Sequence, residues 1–125
     1  MLQIAFVIFF GIFGVLSRYG ILQFSLKIFP GSFLISTWSI NSIGSFLIGG
    51  IYVLFAEKKI LPSELSIGLM VGFLGGFTTF SAYSLEMLRL IKSQEYALLA
   101  LYGIGSPVTG LAMAFVGFIV AHRLF

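Results

Sequence analysis

The chain has 125 residues, 59% of them hydrophobic and only 9% charged, with a mean hydropathy of +1.13; a water-soluble domain of that size needs more polarity to cover its surface, so this surface faces something apolar. The net charge is +3, but the seven Lys and Arg residues are scattered singly or in pairs and form no basic stripe, which argues against nucleic acid as a partner. Cysteine is absent, and with it any disulfide framework, thiolate nucleophile or cysteine metal site.

Charged residues divide the chain into four apolar stretches. They are read as one all-α membrane domain with transmembrane helices at about 2–26, 33–56, 64–91 and 95–122. The first is interrupted by Arg18. A cleaved signal peptide would carry a basic region before its apolar stretch and a small-residue cleavage site after it, and neither pattern is present. A retained helix is therefore expected, with Arg18 near its far end, snorkelling or facing a wet cavity.

On the second span Thr37, Asn41 and Ser45 recur at intervals of four and share one face. Asn41 is the costly member, because its amide brings two donors and a two-lone-pair acceptor into the bilayer. Such a stripe serves either as glue between helices or as the lining of a polar path.

Ser63 followed by Glu64 starts the third span well, with an acid in its first turn. Its centre places two adjacent glycines before two β-branched threonines, a poor sequence for a continuous helix. A break across residues 75–79 would release carbonyls at mid-membrane, where irregular backbone survives only if buried in protein or coordinating something. Released carbonyls attract a cation; N–H groups and hydroxyls attract an anion. Beyond the break, Phe80 and Tyr83 lie on one face, Ser81 and Ser84 on the neighbouring one, and Glu86 is expected at the interfacial end. Aromatic edges carry partial positive charge, so rings beside hydroxyl donors can replace water around an anion.

The fourth span places Tyr102, Ser106 and Thr109 on one face. Pro107 has no N–H, so the Gly103 carbonyl needs a partner other than its helical one. Either a kink accommodated by Ser106 or a neighbouring helix, or a donor-rich groove, fits that requirement. His122 stands at the C-terminal end, where a solvent-facing role is expected.

Small residues also recur at helical spacing, as Gly68, Gly72 and Gly76 on the third span and Ser106, Gly110 and Ala114 on the fourth. Such ridges let helix backbones touch. One is expected to serve packing within the chain, and several suggest an interface between subunits. With four spans, the termini and the second loop share one side with Lys58, Lys59 and Arg123, while Lys27, Arg89 and Lys92, with or without Arg18, lie on the other. This near-balance of positive charge suggests insertion in both orientations and an antiparallel homodimer.

No nucleophile or metalloenzyme set is present, so catalysis is not expected. A dual-topology drug or cation exporter would need an intramembrane carboxylate, and the first two spans hold none. A non-conducting assembly subunit would explain the glycine ridges but not three aligned polar stripes.

The segment Gly75-Gly-Phe-Thr-Thr-Phe-Ser-Ala-Tyr-Ser-Leu-Glu86 closely resembles the third-helix signature of the Fluc (CrcB) fluoride channels. Thr37-Trp-Ser-Ile-Asn41-Ser-Ile-Gly44-Ser-Phe-Leu-Ile-Gly49 resembles their second-helix motif, and Gly11-Ile-Phe-Gly14-Val-Leu-Ser-Arg18-Tyr19 their first-helix pattern. The resemblance implies a dual-topology antiparallel homodimer in a prokaryotic cell membrane, exporting fluoride passively through two pores. It implies a structural Na⁺ at the dimer two-fold, held by backbone carbonyls that map by position to Gly75 and Thr78. The pore asparagine maps to Asn41 and the paired pore phenylalanines to Phe80 and Tyr83. Tyr102 and Ser106 fall on a fourth-helix polar track, Thr37, Ser81, Ser84 and Glu86 along or near the anion path, and Arg18 near a vestibule. Tyr83 departs from the family pattern by bringing a hydroxyl into the aromatic pair, and Pro107 and Gly110 leave the fourth-helix track poorer in hydroxyls.

Overall fold

A computed structural model, describing residues 1–125, contains five helices: α1 (Leu2–Ile28), α2 (Phe33–Glu57), α3 (residues 63–77), α4 (Phe80–Lys92) and α5 (Tyr96–Leu124). The third apolar stretch, Ser63–Lys92, is α3 followed by α4, so four spans are long and apolar enough to cross a membrane. Connections are short. Gly31 takes a left-handed conformation (φ 79°) after Pro30, which turns the chain from α1 into α2 within a few residues. At the other end of the bundle His122 Nδ1 lies 3.2 Å from Glu57 Oε2 and ties the end of α5 to the end of α2.

Two helix pairs make the fold: α1 lies along α3, and α2 along α5. Lipid offers no hydrophobic drive between helices, so close backbone approach supplies the contact energy. A Cβ at Gly14 would overlap the Phe73 carbonyl, and one at Gly72 would come within 2.6 Å of the Val7 carbonyl. In the second pair, a Cβ at Gly49 would overlap the Ala114 carbonyl, and one at Gly117 the Phe46 carbonyl. Both small-residue ridges are therefore used inside the chain: Gly68, Gly72 and Gly76 meet α1, and the α5 ridge meets α2. The subunit interface inferred from those ridges loses that support.

Only 18 of 125 residues are buried, so most of the apolar surface, including Phe9, Phe13, Leu111 and Phe115, points outward. In a soluble chain such a surface would drive aggregation; here it suits lipid.

Between α3 and α4, Thr78 (φ −83°, ψ 160°) and Thr79 (φ −151°, ψ 115°) are extended. Gly75 and Gly76 stay within the last turn of α3, so the bend is narrower than the expected stretch of 75–79. Three features favour the bend. Two consecutive β-branched residues tolerate extended backbone well. The Asn41 side chain supplies the hydrogen bonds that the helix gives up. Thr79 Oγ1 accepts from the Ala82 N–H at 3.2 Å and so caps α4.

Candidate functional site

Asn41 organises the bend. Its Oδ1 accepts from the Thr79 N–H at 2.9 Å, and its Nδ2 donates to the Thr79 carbonyl at 3.1 Å. The amide thus pairs with one residue's donor and acceptor as a neighbouring strand would. One amide proton and one lone pair remain for another partner. The same pairing frees backbone elsewhere. In an unbroken helix the Gly75 carbonyl would receive the Thr79 N–H, which goes to Asn41 instead. The Thr78 carbonyl would receive the Ala82 N–H, which goes to Thr79 Oγ1. Gly75 is exposed and open on its Cα face.

Two polar grooves open beside Asn41. One, of about 400 Å³, is lined by Asn41, Ser45, Gly75, Thr78, Thr79 and Phe80 among others. The second, of about 250 Å³, is lined by Asn41, Ser45, Phe80, Tyr83, Ser106 and Pro107, with Gly110 and Leu111 beside them. Phe80 lines both and is 79% exposed. Its ring centroid lies 5.6 Å from that of Tyr83, which in turn lies 5.1 Å from Tyr102. The Tyr83 hydroxyl donates to the Gly103 carbonyl at 2.8 Å, the acceptor that Pro107 leaves without its helical donor.

One helical turn beyond Ser106 on α5, Tyr102 is fully buried. Its hydroxyl donates to Glu86 Oε2, while Thr37 Oγ1 donates to Glu86 Oε1 at 2.6 Å. Glu86 is 6% exposed and lies in the middle of α4 rather than at an interfacial helix end. The physical reason is partnership: a carboxylate tolerates this depth because both of its oxygens accept hydrogen bonds. Above it a basin of about 500 Å³ opens between the α1–α2 and α4–α5 connections, with Arg89 and Glu95 on its walls. The Arg89 guanidinium stands 5.9 Å from the Phe33 ring.

Asn41, Phe80, Tyr83 and Ser106 therefore meet in one groove, and Thr37, Glu86 and Tyr102 in one buried cluster next to it. Gly75 and Thr78 line the other groove. Ser81, Ser84 and Arg18 line neither. Ser81 Oγ lies 3.2 Å from Thr79 Oγ1, and Ser84 Oγ donates to the Phe80 carbonyl at 3.0 Å. Arg18 is half-buried on α1 without a hydrogen bond or ion pair in the chain. Thr109 acts as glue: it accepts from Trp38 Nε1 at 2.7 Å and directs its own proton toward the Gly105 and Ser106 carbonyls. Ser45 and Trp38 were not among the expected site residues. Ser45 was legible from its place on the Asn41 stripe, whereas nothing local to Trp38 revealed its bond to α5.

Four apolar spans, a buried carboxylate cluster and a groove of polar and aromatic side chains define an integral membrane protein with polar groups held at depth. Residues 5–118 match the family model described as CrcB-like protein, Camphor Resistance (CrcB). The chain is 36% identical to the fluoride-specific ion channel FluC of Geobacter metallireducens over 124 residues, covering 99% of this chain and all of that protein. It is 41% identical to FluC of Pseudomonas putida F1 over 107 residues, 86% of each chain, and 40% identical to FluC of Prosthecochloris aestuarii over 112 residues, 90% of this chain and 87% of that one. The chain belongs to the CrcB family, a family of ion channels rather than enzymes, and is a multi-pass membrane protein.

Proposed function

We propose that this chain is a fluoride-selective channel that lets fluoride leave the cell passively and so lowers its cytoplasmic concentration. The observation that carries the reading is the groove of Asn41, Ser45 and Ser106 flanked by the rings of Phe80 and Tyr83. Fluoride is small and strongly hydrated. A selective path must offer donors and ring edges at close range in place of water, yet hold the ion weakly enough to release it. Asn41 retains one uncommitted amide proton, and neither groove is lined by a fixed cation that would trap an anion. The path runs from this groove past Ser106 and Tyr102 to the basin below Arg89. Thr37 and Glu86 shape that passage, Ser81 and Ser84 border it, and Arg18 draws anions toward a vestibule.

The working unit is an antiparallel homodimer with two pores, inserted in both orientations in the cell membrane. Two things support it. The Lys and Arg residues are nearly balanced between the two sides. The polar grooves and Phe80 are open on one face, where lipid would leave their polar groups unpartnered. The bend between α3 and α4 serves this interface. The Gly75 and Thr78 carbonyls, whose helical donors go elsewhere, fit a Na⁺ shared with the second copy; the ion would supply fixed positive charge that holds two bends together.

A second reading follows from Glu86, since a buried carboxylate is what a proton-coupled exporter of organic cations requires. Against it, both Glu86 oxygens are engaged by Thr37 and Tyr102. Purified protein in liposomes decides between the two. Fluoride efflux much faster than chloride efflux, without a proton gradient, is the expected result. Proton-driven movement of an organic cation with no fluoride flux rejects the channel.

A further inference from the structure

Pro107 lies inside α5, and the helix continues through it to Leu124. The missing N–H leaves the Gly103 carbonyl, one turn earlier, without its helical donor. In a membrane such a carbonyl must find another partner or carry the cost of being unpaired. Tyr83 on α4 provides the partner at 2.8 Å. A Cβ at position 103 would meet the Met87 methyl at 2.7 Å and stand 3.9 Å from the Tyr83 hydroxyl, so the glycine leaves this side of α5 open to α4. Tyr83 and Pro107 also line the same groove, from which Gly103 is absent.

We propose that Pro107, Gly103 and Tyr83 act as one positioning unit, in which Pro107 exposes the Gly103 carbonyl and that carbonyl anchors the Tyr83 hydroxyl, so that the groove meets the ring of Tyr83 and not its hydroxyl. A phenol has one proton to donate, and while Gly103 holds it none is left for an anion. The anchor also clamps α4 to α5 beyond the bend, at the place where the third span has lost its own helical continuity. Tyr83 is thus a positioning residue that acts through its ring, and residue 107 determines how firmly it is held. The consequence for ion flux rests on the fluoride-channel reading; the anchoring does not.

The test compares wild type, Tyr83→Phe, Pro107→Ala and the double variant in liposomes, reading fluoride efflux, and in detergent, reading the rate of thermal inactivation. In the Pro107 protein, Tyr83→Phe lowers flux and hastens inactivation, each by about tenfold, the factor carried by one lost hydrogen bond of this kind. In the Pro107→Ala background the backbone N–H returns to Gly103, so flux is already reduced and Tyr83→Phe changes either readout by less than about twofold. Equal factors in both backgrounds, or no effect in either, overturn the unit, because the hydroxyl would then act on the ion directly or not at all. If no protein passes fluoride, the channel reading fails, and the inactivation rates alone still decide whether the two positions are coupled.

Discussion

Asn41 and Glu86 hold opposite positions in the energetics of the site. Asn41 spends half of its hydrogen-bonding capacity on Thr79 and keeps half for the groove. Asn41→Asp removes the donor to the Thr79 carbonyl and sets an anionic charge beside the path. Fluoride flux should fall at least about tenfold, the effect of only about 1.4 kcal/mol of repulsion; unchanged flux in liposomes removes Asn41 from the path. Glu86 spends both oxygens. Glu86→Gln puts an amide donor where one of the two acceptor oxygens stood, so it should destabilise the bundle by about 1–3 kcal/mol, read as a lower midpoint of thermal inactivation. A midpoint equal to wild type would mean that the cluster is not held by those two bonds. The stripe of Thr37, Asn41 and Ser45 was visible from helical spacing. The division of labour along it was not, because it depends on what stands opposite: a carboxylate at Thr37 and an extended backbone at Asn41.

Among the helices, the α2–α5 pair depends on reciprocal backbone contact at Gly49 and Gly117. Gly49→Leu must push Ala114 away and should cost about 3 kcal/mol, seen as loss of folded protein on extraction. Gly20, with nothing near its Cα face, is the matched control: Gly20→Ala should change stability by no more than about 0.5–1 kcal/mol, in the stabilising direction. Equal behaviour of the two variants would remove close approach as the basis of the pair. Local sequence marked the ridges of Gly68, Gly72 and Gly76 and of Ser106, Gly110 and Ala114 as contact points but not their partners, and it did not single out Gly49 or Gly117. A ridge of small residues is the same signal whether the surface it meets belongs to its own chain or to another, and here the chain itself supplies α1 and α2. The bend shows the complementary case. Two glycines and two threonines announced weak helix, yet the backbone leaves the helix only at Thr78 and Thr79, where the Asn41 amide pairs with both backbone groups of Thr79.

For the whole molecule, the open polar face around Phe80 and the balanced charge of the two sides lead to one prediction about topology. The chain lacks cysteine, so a single Lys58→Cys change gives a unique label. In intact cells a membrane-impermeant thiol reagent should modify about half of it, with the rest accessible only after permeabilisation. Labelling that is complete from one side alone rejects dual topology and the antiparallel dimer with it. What the sequence determined by itself is the class of the molecule. Four long apolar stretches, almost no charge and polar residues at helical spacing leave an all-helical membrane protein with polar helix faces, since the bilayer forces every backbone group to find its partner inside the protein. Only the tertiary structure decided which polar groups are consumed and which stay available. Glu86 lies in mid-helix between Thr37 and Tyr102, Tyr83 is turned to Gly103, and Asn41 is half engaged at the bend. Each of those outcomes pairs groups between 16 and 49 residues apart, and a hydrogen bond made across helices leaves no mark on the local spacing of either partner.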